Sequence, residues 1–345
     1  MALDPHQEDF QRLSLRYAAT LDPGDPFGMA RKAEEFSRRF VQKRDSLPQT
    51  DDDRAFGLVA QAAQLIDYEL PFATAVSAPQ TIREARKLLT EALELDPDCL
   101  DARRMIAAAD SRTPTAYHDY LVQDAPQVRA QCERARDAAL AGARGSFAEL
   151  AQASAALAMR PYLRWMAAAS STSLICGRYR MAIDEAREAL AIEPGDPADV
   201  SYTLALAYAK LEDEESYGQL LASAETTHGA AWYSLARIAL LYKQESREEA
   251  AREVRHLLDA YPNAGTTLGR QDDLPDGVYA RICVTPMSED ELILATSEAT
   301  VLLQEGCDDH ERGSLGSWLA NLPEVIEAQE RELAADPTLG EEDQQ

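Results

Sequence analysis

Ala182-Ile183-Asp184-Glu185-Ala186-Arg187-Glu188-Ala189-Leu190-Ala191-Ile192-Glu193-Pro194 places alanines at 182, 186 and 189 and a proline at 194. Spacings of 4 and 3 put the alanines on one stripe of a helix, and the proline five positions on ends it. A stripe of such small side chains lets a second helix lie close against the first. The same spacing recurs at Ala85, Leu89, Ala92 and Pro97, and again at Ala250, Val254, Leu257 and Pro262. Pro194 and Pro262 stand 68 positions apart, twice a 34-residue period. A unit without the proline must lie between them. Leu204-Ala205-Leu206-Ala207-Tyr208 reads as its first helix and Glu212-Asp213-Glu214 as its turn.

This half-repeat resembles the tetratricopeptide pattern A-x3-F-x2-A-x4-P. Trp232-Tyr233-Ser234-Leu235-Ala236 is similar to its W-x2-L-G opening, with Ala236 in place of glycine, and Gly177-Arg178-Tyr179 sits where the inter-helix turn belongs. The resemblance implies an all-α fold, a right-handed tetratricopeptide-type solenoid with capping helices at both ends. The expected organisation is N-terminal capping helices over 1–78, irregular helical repeats over 79–160 and core repeats over 161–263. An irregular loop over 264–287, C-terminal capping helices over 288–334 and an acidic tail over 335–345 complete it.

Two runs narrow the resemblance. Ala92-Leu93-Glu94-Leu95-Asp96-Pro97-Asp98-Cys99-Leu100-Asp101-Ala102 and Met159-Arg160-Pro161-Tyr162-Leu163-Arg164 are similar to motifs of the bacterial tetratricopeptide proteins related to the suppressor-of-tumorigenicity-seven protein. Met159 and Leu163 depart from that pattern, and the later motifs match only loosely, at Met287 to Leu292 and Trp318-Leu319. The resemblance covers roughly 80–320. It implies a helical-repeat scaffold and no reaction.

Composition agrees with helices packed on helices. Alanine is the commonest residue, 46% of the chain is hydrophobic, and Gly (16) and Pro (17) are sparse. The formal charge is −26, which repels phosphate backbones and excludes nucleic acid as an expected partner. No apolar stretch approaches the length of a membrane span. The start, Met1-Ala2-Leu3-Asp4-Pro5-His6, lacks a basic region followed by an apolar run, so a cytoplasmic location without a leader is expected. Cys99, Cys132, Cys176, Cys283 and Cys307 are scattered, form no C-x-x-C and read as reduced thiols.

The start reads as two helices around Asp22-Pro23-Gly24-Asp25-Pro26. After the break at Leu47 to Asp53, Thr50 or Asp51 can cap the next helix. Helices follow over 54–69, 81–95, 101–110, 127–140, 147–159 and 162–176, with Pro161 suited to a first turn and Ser146 to an N-cap. Ala264 to Pro286 carries Gly265, Gly269, Pro275 and Gly277 and reads as an irregular connection with one extended segment, Val278 to Val284. Ser288 with Glu291 is a capping box.

Chemistry-bearing motifs are few. No two of His6, His118, His228, His256 and His310 stand at metal-ligand spacing, so neither a metal nor a cofactor is expected. Asp272-Asp273-Leu274-Pro275-Asp276-Gly277 lacks the downstream acid of a calcium loop. Cys176 has no neighbouring histidine and reads as core. The register of the repeats instead puts Arg160, Arg164, Tyr202, Leu206, Lys210, Tyr233, Arg237 and Leu241 on the first-helix faces that line the groove of such a fold. Cations and aromatics in a chain of charge −26 favour a carboxylate-bearing peptide. The competing reading is that Arg160 and Arg164 pair with the chain's own acids.

The expected function is a non-enzymatic scaffold holding a peptide or protein partner, an acidic one by charge. A filled groove would favour a structural homo-oligomer instead. An enzyme or regulator with its site in 264–286 is the remaining alternative.

Overall fold

A computed structural model of the chain describes residues 4–22, 26–70, 73, 76–141, 148–223, 230–272, 274, 283–307 and 312–336. Every regular element among them is helical, and the described residues contain no helix long and apolar enough to cross a membrane. Contacts divide the chain into two compact units, residues 2–169 and 170–345.

The N-terminal unit begins with a hairpin, α1 (Pro5–Ala18) and α2 (Pro26–Lys43), closed by a 3-10 turn at Arg44–Ser46. Asp4 caps α1, its carboxylate accepting from the His6 and Gln7 amides. Leu13, Phe36 and Leu47, flanked by Phe10, Tyr17 and Phe40, give the hairpin a small apolar cluster of its own. Next come α3 (Asp51–Ala63), α4 (Ala78–Leu95), α5 (Leu100–Asp110), α6 (Pro114–Ala141) and the first part of α7 (Ala148–Ile175). Thr50 caps α3 in a full capping box with Asp53. Beyond Ala63 the backbone loosens into a π-helical turn, Gln64–Glu69. The unit's main core runs from Ala55, Val59 and Ala62 of α3 through Ala85, Leu89 and Ala92 of α4 to Ala102 and Met105 of α5.

The C-terminal unit holds the end of α7 and then α8 (Tyr179–Ile192), α9 (Val200–Leu211), α10 (Glu214–Ser223), α11 (Ala230–Lys243) and α12 (Arg247–Ala260). Helix α9 packs against α8, α10 and α11, and α11 against α12, while Ser173 donates to Glu185 across α7 and α8 and the Tyr217 hydroxyl donates to the Tyr233 carbonyl across α10 and α11. The stripes that opened the sequence reading, Ala182, Ala186 and Ala189 on α8 and Ala250, Val254 and Leu257 on α12, are buried. The chain continues through α13 (Ala264–Gly269), α14 (Glu289–Glu298), α15 (Thr300–Leu303), α16 (Ser314–Ala320) and α17 (Pro323–Ala335).

Three local expectations differ from the structure. The helices expected over 127–140, 147–159 and 162–176 are two long ones. Pro126 lies inside α6 and Pro161 inside α7, rather than at a helix start. A proline removes one intrahelical bond, and burial of the flanking turns offsets that loss: Leu121 and Val128 bracket Pro126, and Met159, Tyr162 and Leu163 bracket Pro161. The loop expected over 264–287 opens with a helix, α13. Gly265 and Gly269 are there to admit a neighbour rather than to break the chain, because α17 crosses directly over them. Glu332 accepts from the Gly265 and Thr266 amides at 3.0 and 2.7 Å and closes the N-terminal end of α13. At α14 only half of the expected box forms. Ser288 accepts from the Glu291 amide, while the Glu291 carboxylate turns to the Met287 amide at 2.6 Å. The extended segment expected at 278–284 lies largely outside the described residues, as does Ser146; Cys283 and Val284 carry no regular structure.

A Cβ on Gly265 would come within 2.5 Å of the Gln329 backbone nitrogen and 2.6 Å of Ala328 Cβ. Helix α17 must then retreat, so Gly265→Ala should destabilise the C-terminal unit by about 2 kcal/mol, the middle of the range for overpacking. Urea unfolding followed at Trp318 checks this, and an unchanged midpoint would contradict the packing.

Candidate functional site

In the N-terminal unit, α1 lies across a face shared by α3, α5 and α7, and charged side chains make the contact. Arg164 of α7 is the centre. Its Nη1 donates to Glu8 of α1 at 2.6 Å, and its Nε and Nη2 donate to both oxygens of Asp101 on α5 at 2.7 and 2.5 Å. Arg160, one turn earlier, reaches Glu8 at 3.5 Å, and Arg12 meets it along α1 at 2.8 Å. The Phe56 ring of α3 lies beneath, 4.0 Å from the Arg12 guanidinium and 5.7 Å from that of Arg164.

Glu8 and Asp101 are buried while Arg164 keeps 12% of its side-chain surface. Burial alone would raise both carboxyls, but the Arg164 charge and its hydrogen bonds, helped by Arg12, hold them below the ordinary carboxylate range. Arg164 is pulled upward in turn; burial opposes its charge, and Asp101 and Glu8 outweigh it. Two further links fasten the hairpin. Asp9 grips Arg44 at 2.5 Å, and Arg16 reaches Asp53 at 2.8 Å.

The alternation continues away from α1. Arg104 of α5 stands 3.8 Å from Asp101, and its charge also acts on Asp67 in the π-helical turn. From Asp67 through Arg104, Asp101 and Arg164 to Glu8 the signs alternate. Asp67 is the member held least: desolvation pushes its carboxyl up to about 6, and only the Arg104 charge pulls back.

In the C-terminal unit, the faces of α9 and α11 are covered by α14 and α15. Lys210 donates to the Val301 carbonyl at 2.6 Å and, together with Lys243, pairs with Glu305 at 3.1 and 3.0 Å. Trp232 Nε1 donates to Glu298 at 2.7 Å, and the Ala231 amide donates to Glu291 at 3.4 Å. Glu291, Glu298 and Glu305 are seven residues apart. Leu292, Ala295, Thr296, Ser297 and Glu298 are all buried, so α14 is a core element and not a surface strap.

The eight residues read as a partner groove therefore fall into two groups. Arg160 and Arg164 come together in the N-terminal unit, against the chain's own acids. Tyr202, Leu206, Lys210, Tyr233, Arg237 and Leu241 belong to the C-terminal unit. Tyr202 stacks on Trp232 with centroids 4.5 Å apart, Tyr233 donates to Ser201 Oγ at 2.9 Å, and Leu206 and Leu241 are core. Lys210 keeps 9% of its side-chain surface, and Arg237, the most open at 41%, pairs with Glu253 at 3.3 Å. Helices α14 and α15, remote in sequence, pack on α11 and α9, and of the six side chains Arg237 stays the most exposed.

Glu8, Asp67, Asp101 and Arg104 were not singled out from the sequence. Glu8 and Arg12 were visible as an i, i+4 pair, and Asp101 lies in the Asp98-Cys99-Leu100-Asp101-Ala102 run quoted above. Of the region offered for an enzymatic site, 264–272 is helix and turn, with Asp272 paired to Arg312, while 275–282 lies outside the described residues. Among the described residues, no group of three His, Cys, Asp or Glu side chains is placed to hold a metal ion. Cys99 and Cys132 are buried, and desolvation pushes their thiols up to about 12 and about 11.

No protein-family model matches the chain, nor does any curated protein or any solved structure.

Two outcomes follow. Removing one partner of a buried ion pair costs about 3–5 kcal/mol, so Arg164→Ala should lower the stability of the N-terminal unit by that order; a denaturation midpoint close to wild type would contradict the hub. Asp67 titrates higher folded than unfolded, so its ionisation opposes folding fully above about pH 6, and the penalty fades toward pH 4. Asp67→Asn should therefore raise Tm at pH 7.5, with the gain shrinking toward pH 4.5. A gain independent of pH would show that Asp67 is not desolvated.

Proposed function

We propose that the chain is a non-enzymatic scaffold of right-handed, tetratricopeptide-type helix pairs that holds a carboxylate-bearing peptide or protein partner on the α3–α5–α7 face of its N-terminal unit. In this reading α1 is an occupant supplied by the chain itself, and Glu8 stands where the partner's carboxylate goes. One observation carries it. Arg160 and Arg164 converge on a carboxylate delivered by a hairpin that has its own apolar cluster. A segment with its own core, attached through charges, can open without unfolding what it covers. Arg is also suited to such a site, because its planar fork binds carboxylates with two parallel bonds. Buried thiols with raised pKa fit a cytoplasmic location.

A second reading has its own support. The α11 face is covered by α14, most of whose side chains are buried, as in a purely structural protein, and in this reading α1 is a cover of the same kind.

Hydrogen exchange on the full chain separates the two. With a millimolar glutamate-rich helical peptide present, the amides of 5–18 should exchange at least several-fold faster, while a lysine-rich peptide of equal length leaves them unchanged. Exchange of 5–18 only through global unfolding, indifferent to either peptide, would refute the binding reading and leave the structural one.

A further inference from the structure

Where α11 ends and α12 begins, two aromatic rings and one arginine lie together in the C-terminal unit. Tyr242, in the last turn of α11, and Trp318 of α16 have ring centroids 5.2 Å apart and planes inclined by 50°. The Tyr242 hydroxyl donates to the Ser314 carbonyl at 3.2 Å and ties the ring to the start of α16. Arg247, the first residue of α12, places its guanidinium carbon 3.2 Å from the Tyr242 centroid and 5.8 Å from that of Trp318. Both distances are within reach of a cation–π attraction. Arg247 also donates to the Tyr242 carbonyl.

The chain carries 60 acidic residues against 34 lysines and arginines. Among the described residues Arg247 nevertheless meets no carboxylate; its contacts are two ring faces and one carbonyl. Glu245 and Glu248 flank it in sequence, are exposed, and pair with no cation among the described residues. Rings and local charge together make a receptor for a cation, and the cation it holds belongs to the chain itself. Arg247 is exposed while Tyr242 and Trp318 are half-buried, so the arginine covers the rings from the solvent side. A guanidinium is planar and weakly hydrated, which suits it to ring faces better than a compact, strongly hydrated ammonium. Tyr, Trp and Arg are also the side chains that most often anchor protein interfaces.

We propose that Tyr242 and Trp318 form a binding site for the guanidinium of an arginine side chain presented by a protein partner, and that Arg247 occupies this site in the free protein. The incoming guanidinium stacks on Tyr242 against Trp318, with the Glu245 and Glu248 carboxylates as the nearby anions that attract it. Arg247 competes at the high effective concentration of a tethered group, so the partner binds the wild type weakly until Arg247 is displaced. The site lies within the C-terminal unit and does not depend on whether α1 ever leaves its place.

Titration of the full chain with the blocked peptide Ac-Gly-Arg-Gly-Arg-Gly-NH2 at physiological salt tests it. Isothermal titration reads affinity, and tryptophan fluorescence reports mainly on Trp318, since Trp165 and Trp232 are buried. The lysine counterpart of the peptide has the same charge and controls for general attraction to an acidic chain. Arg247→Ala should bind the arginine peptide at least fivefold more tightly than the wild type does, and the lysine peptide at least fivefold more weakly than the arginine one. Adding Tyr242→Leu to Arg247→Ala should abolish the gain, whereas adding Tyr242→Phe, which keeps the ring and loses only the bond to Ser314, should preserve it. Circular dichroism confirms that each variant is folded. Affinity in Arg247→Ala no tighter than wild type, or no saturable binding by that variant up to 20 mM, overturns the proposal. So does equal binding of the lysine peptide, or equal binding after Tyr242→Leu.

Discussion

Arg164 is the side chain on which the N-terminal unit depends. One guanidinium, almost wholly removed from water, satisfies carboxylates from two other helices, Glu8 of α1 and Asp101 of α5. Removing such charges from water costs several kcal/mol each, and close, well-aligned pairing is what returns it. The geometry meets that requirement, with three short bonds and a phenylalanine ring beneath. The same requirement fixes the register of three helices at once, because a one-turn slip of α1 or α7 would strand a buried charge. An apolar contact in that place tolerates sliding far better.

The two units solve the same problem in opposite ways. Each has a helix face that another segment of the chain covers. In the C-terminal unit the cover is α14 and α15, largely buried and locked by Trp232, Lys210 and Lys243. Opening it would expose a core helix, so that face is part of the stable interior. In the N-terminal unit the cover is a hairpin with an apolar cluster of its own, fastened by ion pairs. This difference in how the covers are held, more than any single residue, directs the functional reading to the N-terminal face. The loosened turn carrying Asp67 lies on the same unit, where one carboxylate is left with a single neighbour.

Much of the architecture is legible in the sequence because helical periodicity and small-residue stripes are local properties. The stripes at Ala85, Ala182 and Ala250 mark buried helix faces, Thr50 and Ser288 mark helix starts, and Asp22 to Pro26 marks the first reversal. Arg160 and Arg164 were legible as neighbours on one turn. Where the reading departs from the structure, a distant segment decides. Pro126 and Pro161 sit inside helices because buried neighbours on both sides hold them there, and Gly265 is helical because α17 presses against it.

The sequence by itself determined the helices, the buried stripes and an acidic chain with a few clustered cations, since each follows from spacing over one or two turns. Only the tertiary structure decided what those cations meet. Glu8 lies 156 residues from Arg164, and Glu305 lies far along the chain from Lys210. Nothing in local periodicity encodes which carboxylate reaches which guanidinium. That choice is made when the helices pack, because a charge taken out of water must find an opposite charge within a few ångströms.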